Sequence, residues 1–156
     1  MPKTVIPELQ TEVPKPHPVL ECLLGAYDYS TIGETGGLTQ FGVHIEVLRP
    51  GSKSSLRHWH ETEDEMIYML SGEVVLIEET ETRFCKGDAA CWPAGAATAH
   101  CLENRSDADA SDLTIGTRNR LDTIHYPDHN LITHKDGAAR RYSQSDGSPY
   151  PERTSK

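Results

Sequence analysis

The sequence predicts a single all-β domain built as an antiparallel sandwich or barrel. Three observations carry that expectation. Short β-rich runs recur between turn signals from about residue 38 to 118. No stretch carries a three-turn amphipathic helix. The length, 156 residues, is that of one domain able to bury a core.

The runs are Thr39–Leu48, Leu56–His60, Met66–Leu70, Glu73–Glu79, Thr82–Cys85, Ala89–Trp92, Thr98–Asn104 and Asp112–Gly116. Between them stand Arg49-Pro50-Gly51, Ser71-Gly72, Lys86-Gly87-Asp88, Pro93-Ala94-Gly95 and Asn104-Arg105-Ser106-Asp107, residue types that favour turn geometry. Alternation assigns faces. Phe41, Val43, Ile45 and Val47 share one face and are expected to form core, while Gly42, His44, Glu46 and Leu48 share the other. His44 is then either an outer-face residue or a pocket-lining one. Around this unit, residues 1–30 are expected to form a Pro-rich arm, 31–120 the barrel, and 121–156 a polar, irregular tail. An arm or edge strand laid over a partner would hide open sheet edges, so a homodimer is expected.

Charge and composition exclude several function classes. Fifteen basic residues face 24 acidic ones, a net charge of −9, which argues against nucleic-acid or anionic-membrane partners. No apolar run approaches the roughly 18 residues of a spanning helix. No secretory apolar region is visible near the start, so a cytoplasmic setting with reduced thiols is expected. Cys22, Cys85, Cys91 and Cys101 form no C-x-x-C pair and read as structural. Lys135, Arg140 and Arg141 form a local basic group, either a solvated surface or a small-anion site.

Histidine is the unusual component, with eight in the chain. His58 and His60 flank Trp59, and residues two apart on a strand project to one side. Glu65 follows across the turn Glu61–Asp64, where an antiparallel return brings its carboxylate beside the two imidazoles. His100 lies on a later strand after Pro93-Ala94-Gly95. Three imidazoles and one carboxylate suit a divalent first-row metal, with Fe, Mn, Ni, Co and Zn all compatible. Glu61, Glu63 and Asp64 are nearby acids that read as a solvated turn.

At these residues the sequence resembles the cupin superfamily. Its first motif is matched by Gly51, His58-Trp59-His60, Glu65 and Gly72, with a spacer before His58 one residue longer than usual. Its second is matched by Gly87, Pro93-Ala94-Gly95, His100 and Asn104. Four residues separate Gly95 from His100 where the pattern has two, so Thr98 occupies the usual histidine slot. Thr98 and His100 share parity, and three residues still separate His100 from Asn104, which points to a loop two residues longer. More loosely, Gly116-Thr117-Arg118, Asp122, Tyr126-Pro127-Asp128, His134 and Asp146-Gly147-Ser148-Pro149 resemble small bacterial single-domain cupins, some termed sugar-phosphate-isomerase-like. The resemblance implies a double-stranded β-helix, or jelly roll, with one divalent metal inside and frequent dimerisation.

The function expected is metal-dependent catalysis on a small sugar-like or carboxylic acid substrate: isomerisation, decarboxylation or lyase chemistry, or dioxygen-dependent oxidation. The alternative is a non-catalytic binding cupin with a structural metal. A general base is wanted in the first two classes. Tyr68, Arg57, His44 and Glu46 are the residues on offer, with Tyr68 and His44 as catalytic candidates. Parity turns Tyr68 away from Glu65 and Arg57 away from His58. Trp59 likewise points away from the metal, and Cys101 faces opposite to His100.

Overall fold

The computed structural model describes residues 3–12, 17–20 and 26–151. Cys22 and parts of the Pro-rich arm lie outside them. The main elements are strands β1 (Gln10–Glu12), β2 (Tyr27–Thr31), β3 (Phe41–Leu48), β4 (Trp59–His60), β5 (Glu65–Ser71), β6 (Glu73–Ile77), β7 (Glu81–Cys85), β8 (Ala89–Trp92), β9 (Cys101–Glu103), β10 (Ala110–Thr117), β11 (Leu121–Tyr126), β12 (Leu131–Asp136) and β13 (Ala139–Ser143). One helical turn, α1 (Ile32–Thr35), interrupts them, and a 3-10 turn spans Pro127–His129. No helix among the described residues is long and apolar enough to cross a membrane.

All strand pairs are antiparallel. They form a six-stranded sheet in the order β1-β2-β3-β10-β5-β8, a four-stranded sheet β13-β12-β11-β4 and a three-stranded sheet β7-β6-β9. The two smaller sheets meet through the bridges His58–His100 and Lys53–Glu103. The core draws on both layers: Leu48, Ile67, Met69 and Trp92 from the large sheet, and Val74, Leu76, Phe84 and Leu102 from the three-stranded one. This is the all-β, double-stranded β-helix expected from the strand rhythm.

The inner wall of the large sheet reads as a ladder of registered rows. Leu48 lies opposite Ala110, Glu46 opposite Asp112, His44 opposite Thr114, and Gly42 opposite Gly116. On the far side of β10, Met69, Ile67 and Glu65 extend the last three rows in turn. The wall thus passes from a closed apolar end to a polar end floored by two glycines. This corrects the face expected for β3. Leu48 is fully buried and Phe41 is exposed, so the face of Gly42, His44, Glu46 and Leu48 is the interior one. The sequence pattern misleads because a barrel housing a polar site places polar side chains inside. The apolar outer face stays half-buried, partly under the arm, where Ser30 Oγ donates to the Pro7 carbonyl (2.8 Å).

Residues 121–143, expected to be irregular, instead supply three strands. Their composition hid them, because Asp122, Thr123, His125, Thr133, His134 and Lys135 break any apolar alternation. β11 is the strand that holds β4, pairing Ile124 with His60 and His125 with Trp59.

Gly72 ends β5 with φ of +73°. A Cβ there would lie 2.8 Å from Ala110 Cα and from the Asp109 carbonyl oxygen. Gly72→Ala combines left-handed strain with a backbone clash, so it is expected to cost about 3 kcal/mol, read from the urea midpoint.

Candidate metal centre

β4 is only two residues long, yet it and the preceding His58 are pinned from both sides. The His58 amide donates to the His100 carbonyl (3.2 Å) and the His100 amide to the His58 carbonyl (2.9 Å). β11 holds the opposite edge. Across the layer, Glu65 opens β5 and lies beside Gly116 and Trp92. His58, Glu65 and His100 bring one donor atom each within 4.8 Å of one another. The His60 ring lies 5.0 Å from that of His58 and lines the same cavity as Glu65. Through Nδ1, His60 belongs to a second group with Glu63 and Asp122.

The three imidazoles are oriented alike. Nδ1 of His58 donates to the Leu56 carbonyl (2.8 Å), Nδ1 of His100 to the Thr98 carbonyl (3.1 Å), and Nδ1 of His60 to Asp122 Oδ2 (2.6 Å). Each ring therefore keeps its Nδ1 proton outward and leaves Nε2 for the interior, the tautomer a metal ligand needs. His100 Nε2 lies 3.1 Å from Glu65 Oε2. Since Nδ1 already holds a proton, that contact needs a second one, and a divalent cation is the natural replacement. The donor set of His58, Glu65 and His100 fits one divalent ion, and His60, the fourth expected ligand, lies outside that group. The geometry also bears on the longer second-motif loop: His100, and not Thr98, turns its side chain to Glu65.

Packing fixes the rings further. Trp92 stacks on His100 at 3.5 Å, and Tyr126 stacks on His58 at 5.6 Å. Burial pushes the His58 imidazole down to about 4, helped by the neighbouring His60 and His100 and opposed by Glu65, so the ring stays neutral. Burial alone would raise the Glu65 carboxyl, but the His100 hydrogen bond and the adjacent imidazoles hold it below its ordinary value. Burial similarly pushes the Tyr126 phenol up to about 12. Asp122 has a fully buried side chain and also accepts from the Thr62 amide and hydroxyl. Burial there is outweighed by these bonds and by His60, so its carboxyl lies below the ordinary value.

Asp122 and Tyr126 had no local signal as supports of the site. Each reaches it only through the register of β11 on β4. Removing the charge that orients His60, as in Asp122→Asn, is expected to weaken metal affinity 10- to 100-fold, measured by competition with a chromophoric chelator.

The remaining candidates divide cleanly. His44 faces the interior, its Nε2 3.0 Å from Glu46 Oε1. Tyr68, a catalytic candidate by sequence, instead stands on the outer face, 39% exposed, because it shares parity with the outward Met66 and not with Glu65. Arg57 clasps Asp128 through two hydrogen bonds (3.0 and 2.6 Å) and also donates to the Glu78 carbonyl. Trp59 stacks on His125, away from the ligand cluster. Cys101 is buried on β9, whereas Cys91 is exposed, against the expectation of a buried structural thiol. Glu63 is not a solvated turn residue: it is largely buried, 2.6 Å from Lys135 Nζ and 3.7 Å from His60 Nδ1. Lys135 is thus committed inward, and Arg140 donates to the Gly137 and Ala139 carbonyls.

The Cupin domain family model matches residues 44–116, which span the ligand cluster. The structure superposes on a sugar phosphate isomerase of the cupin superfamily from Silicibacter pomeroyi. The TM-score is 0.84, with 34% identity and 92% of each chain covered. The chain belongs to the cupin superfamily. This cupin is also similar to a candidate sugar phosphate isomerase from Acidithiobacillus ferrooxidans (TM-score 0.76, 25% identity, 82% of each chain). A predicted oxalate decarboxylase from Thermotoga maritima shares the fold at 24% identity and a TM-score of 0.53, covering 61% of this cupin and 83% of that chain. No curated protein matches this cupin in sequence.

Proposed function

We propose that this cupin is a metal-dependent isomerase of a small, sugar-like hydroxy-carbonyl compound. His58, His60, Glu65 and His100 hold one divalent ion, and His44 carries the proton. The observation behind this reading is the place of the His44–Glu46 pair. His44 lines the same cavity, about 220 Å³, as His60 and Glu65, one row of the ladder away from Glu65. Two of the similar structures, the sugar phosphate isomerases from Silicibacter pomeroyi and Acidithiobacillus ferrooxidans, support the same reaction class.

A divalent ion on these ligands polarises a carbonyl and stabilises negative charge on its oxygen. The chain must then move one proton between adjacent carbons. Glu46 engages His44 Nε2 and leaves Nδ1 for the substrate. Burial lowers the basicity of His44, but the bond and charge of Glu46, with Asp112 and Glu65 behind it, outweigh that and raise it above the ordinary value. His44 takes the proton from the hydroxyl-bearing carbon beside the carbonyl and returns it to the former carbonyl carbon, while the hydroxyl proton passes to the former carbonyl oxygen, so the isomerisation balances with no external oxidant and no second reactant.

The test is incorporation of solvent deuterium into a panel of aldoses, ketoses and their phosphates by the metal-loaded protein. His44→Gln is expected to slow exchange 10²- to 10⁴-fold while metal content stays at the wild-type level. Absence of exchange with every compound, together with retained metal and ligand binding, would assign this cupin to the non-catalytic binders. A cytoplasmic setting and a homodimer belong to the same proposal. Exposed Val5, Ile6 and Leu9 on the arm support the dimer, and light scattering that shows a monomer at high concentration would remove it.

A further inference from the structure

The cavity lined by His44, His60 and Glu65 is also lined by a cationic side chain that the proposed reaction does not use, Arg118. Arg118 follows β10 and continues the inward parity of Asp112, Thr114 and Gly116. Its amide donates to the Gln40 carbonyl (3.0 Å), which carries the ladder one row beyond Gly42 and Gly116. The guanidinium then folds back over Gly42. A Cβ at residue 42 would lie 3.2 Å from Arg118 Nε and Nη2. Two registered glycines therefore form a floor without side chains, with Arg118 at one end and Glu65 at the other.

We propose that this floor is an anion subsite. The substrate lies along Gly42 and Gly116 with its carbonyl end at the ion and a phosphate or carboxylate on Arg118. The proposal rests on the metal-dependent reading above and adds the charge class of its substrate.

The acids around the cavity do not oppose it, because each has a partner of its own. Glu63 is held by Lys135 (2.6 Å), Asp64 Oδ1 accepts from the Ala94 amide (2.7 Å), and Glu65 belongs to the ligand cluster. Among the described residues, Glu34, on α1, is the acid that pairs with Arg118. Both side chains are substantially exposed, and such pairs contribute about 0–1 kcal/mol. A bidentate bond from guanidinium to an oxyanion is shorter and stronger. Glu34 is therefore a placeholder that an incoming anion displaces.

The experiment is calorimetric titration of the zinc-loaded protein with inorganic phosphate and, separately, with acetate. Phosphate is expected to bind the wild type, Arg118→Gln to weaken it at least tenfold, and Glu34→Gln to strengthen it about threefold by removing the competitor. Tighter acetate than phosphate would assign the subsite to carboxylates. Equal phosphate binding by wild type and Arg118→Gln, weaker binding by Glu34→Gln, or no binding of either anion to the wild type overturns the subsite. Zinc content is measured on the same samples. A wild-type protein that holds no zinc overturns the metal reading instead, and the Arg118 comparison is then read on the metal-free protein.

Discussion

Stripping the ion from the metal-loaded protein is expected to abolish the proposed isomerase activity and to lower the melting temperature by about 10 °C. Binding confined to the native state stabilises by about 4 kcal/mol at a thousandfold excess of ligand over Kd, and each kcal/mol moves a domain of this size by about 2–4 °C. Alanine at His58 or His60 is expected to reproduce the loss without chelator, since the two rings lie 5.0 Å apart, His60 on β4 and His58 just before it. The sharper comparison is between neighbours of equal parity. His100→Ala loses the ion, whereas Thr98→Ala retains it, because only the His100 ring meets Glu65. Elemental analysis decides between them. Full occupancy in His100→Ala with loss in Thr98→Ala would show that the longer loop does not place the ligand as described.

Asp112→Asn raises stability at pH 8 and leaves it unchanged near pH 4. Asp112 is buried to 1% exposure, opposite Glu46, and its described side-chain bond is from the Thr114 hydroxyl (2.8 Å). Burial first, and Glu46 second, push its carboxyl up to about 7, with Thr114 and His44 opposing. The sign follows from proton counts. Between the ordinary value of about 4 and 7, the folded chain keeps the proton and the unfolded chain has released it. Stability therefore declines as pH rises through that window, and the full penalty is present above it. Asparagine accepts the same Thr114 hydrogen bond without the charge. The expected gain above pH 7 is on the order of 2–4 kcal/mol, or about 10 °C in Tm. Equal melting temperatures for wild type and variant at pH 8 would mean that Asp112 ionises freely in its buried row.

What the sequence showed and what it hid have the same physical root. Turn glycines and prolines bounded β5, β6, β7 and β8 well, because local backbone chemistry sets turns. Alternation put His58 and His60 on one side of the chain for the same reason. Alternation could not tell which face of β3 was inside. That depends on whether the enclosed space is dry core or polar cavity, and here it is both, Leu48 at one end and Gly42 at the other. Asp122, Tyr126 and the strand that bears them were invisible as parts of the site. Their partners, His60 and His58, are more than sixty residues away, and nothing local marks such a pairing.

The ligand cluster also sits where all three sheets come together. Glu65 opens a strand of the six-stranded sheet, His60 belongs to the four-stranded one, and the His58–His100 bridge reaches the start of the three-stranded one. An ion held there closes long loops of the chain at a single point, as a cross-link does. A chain without its ion keeps its apolar core but loses that fastening. Local opening at the junction then exposes the Glu61–Asp64 turn to proteases before the rest of the fold yields. Metal supply would thus set the lifetime of the protein as well as its rate, and copies that fail to load would be cleared first.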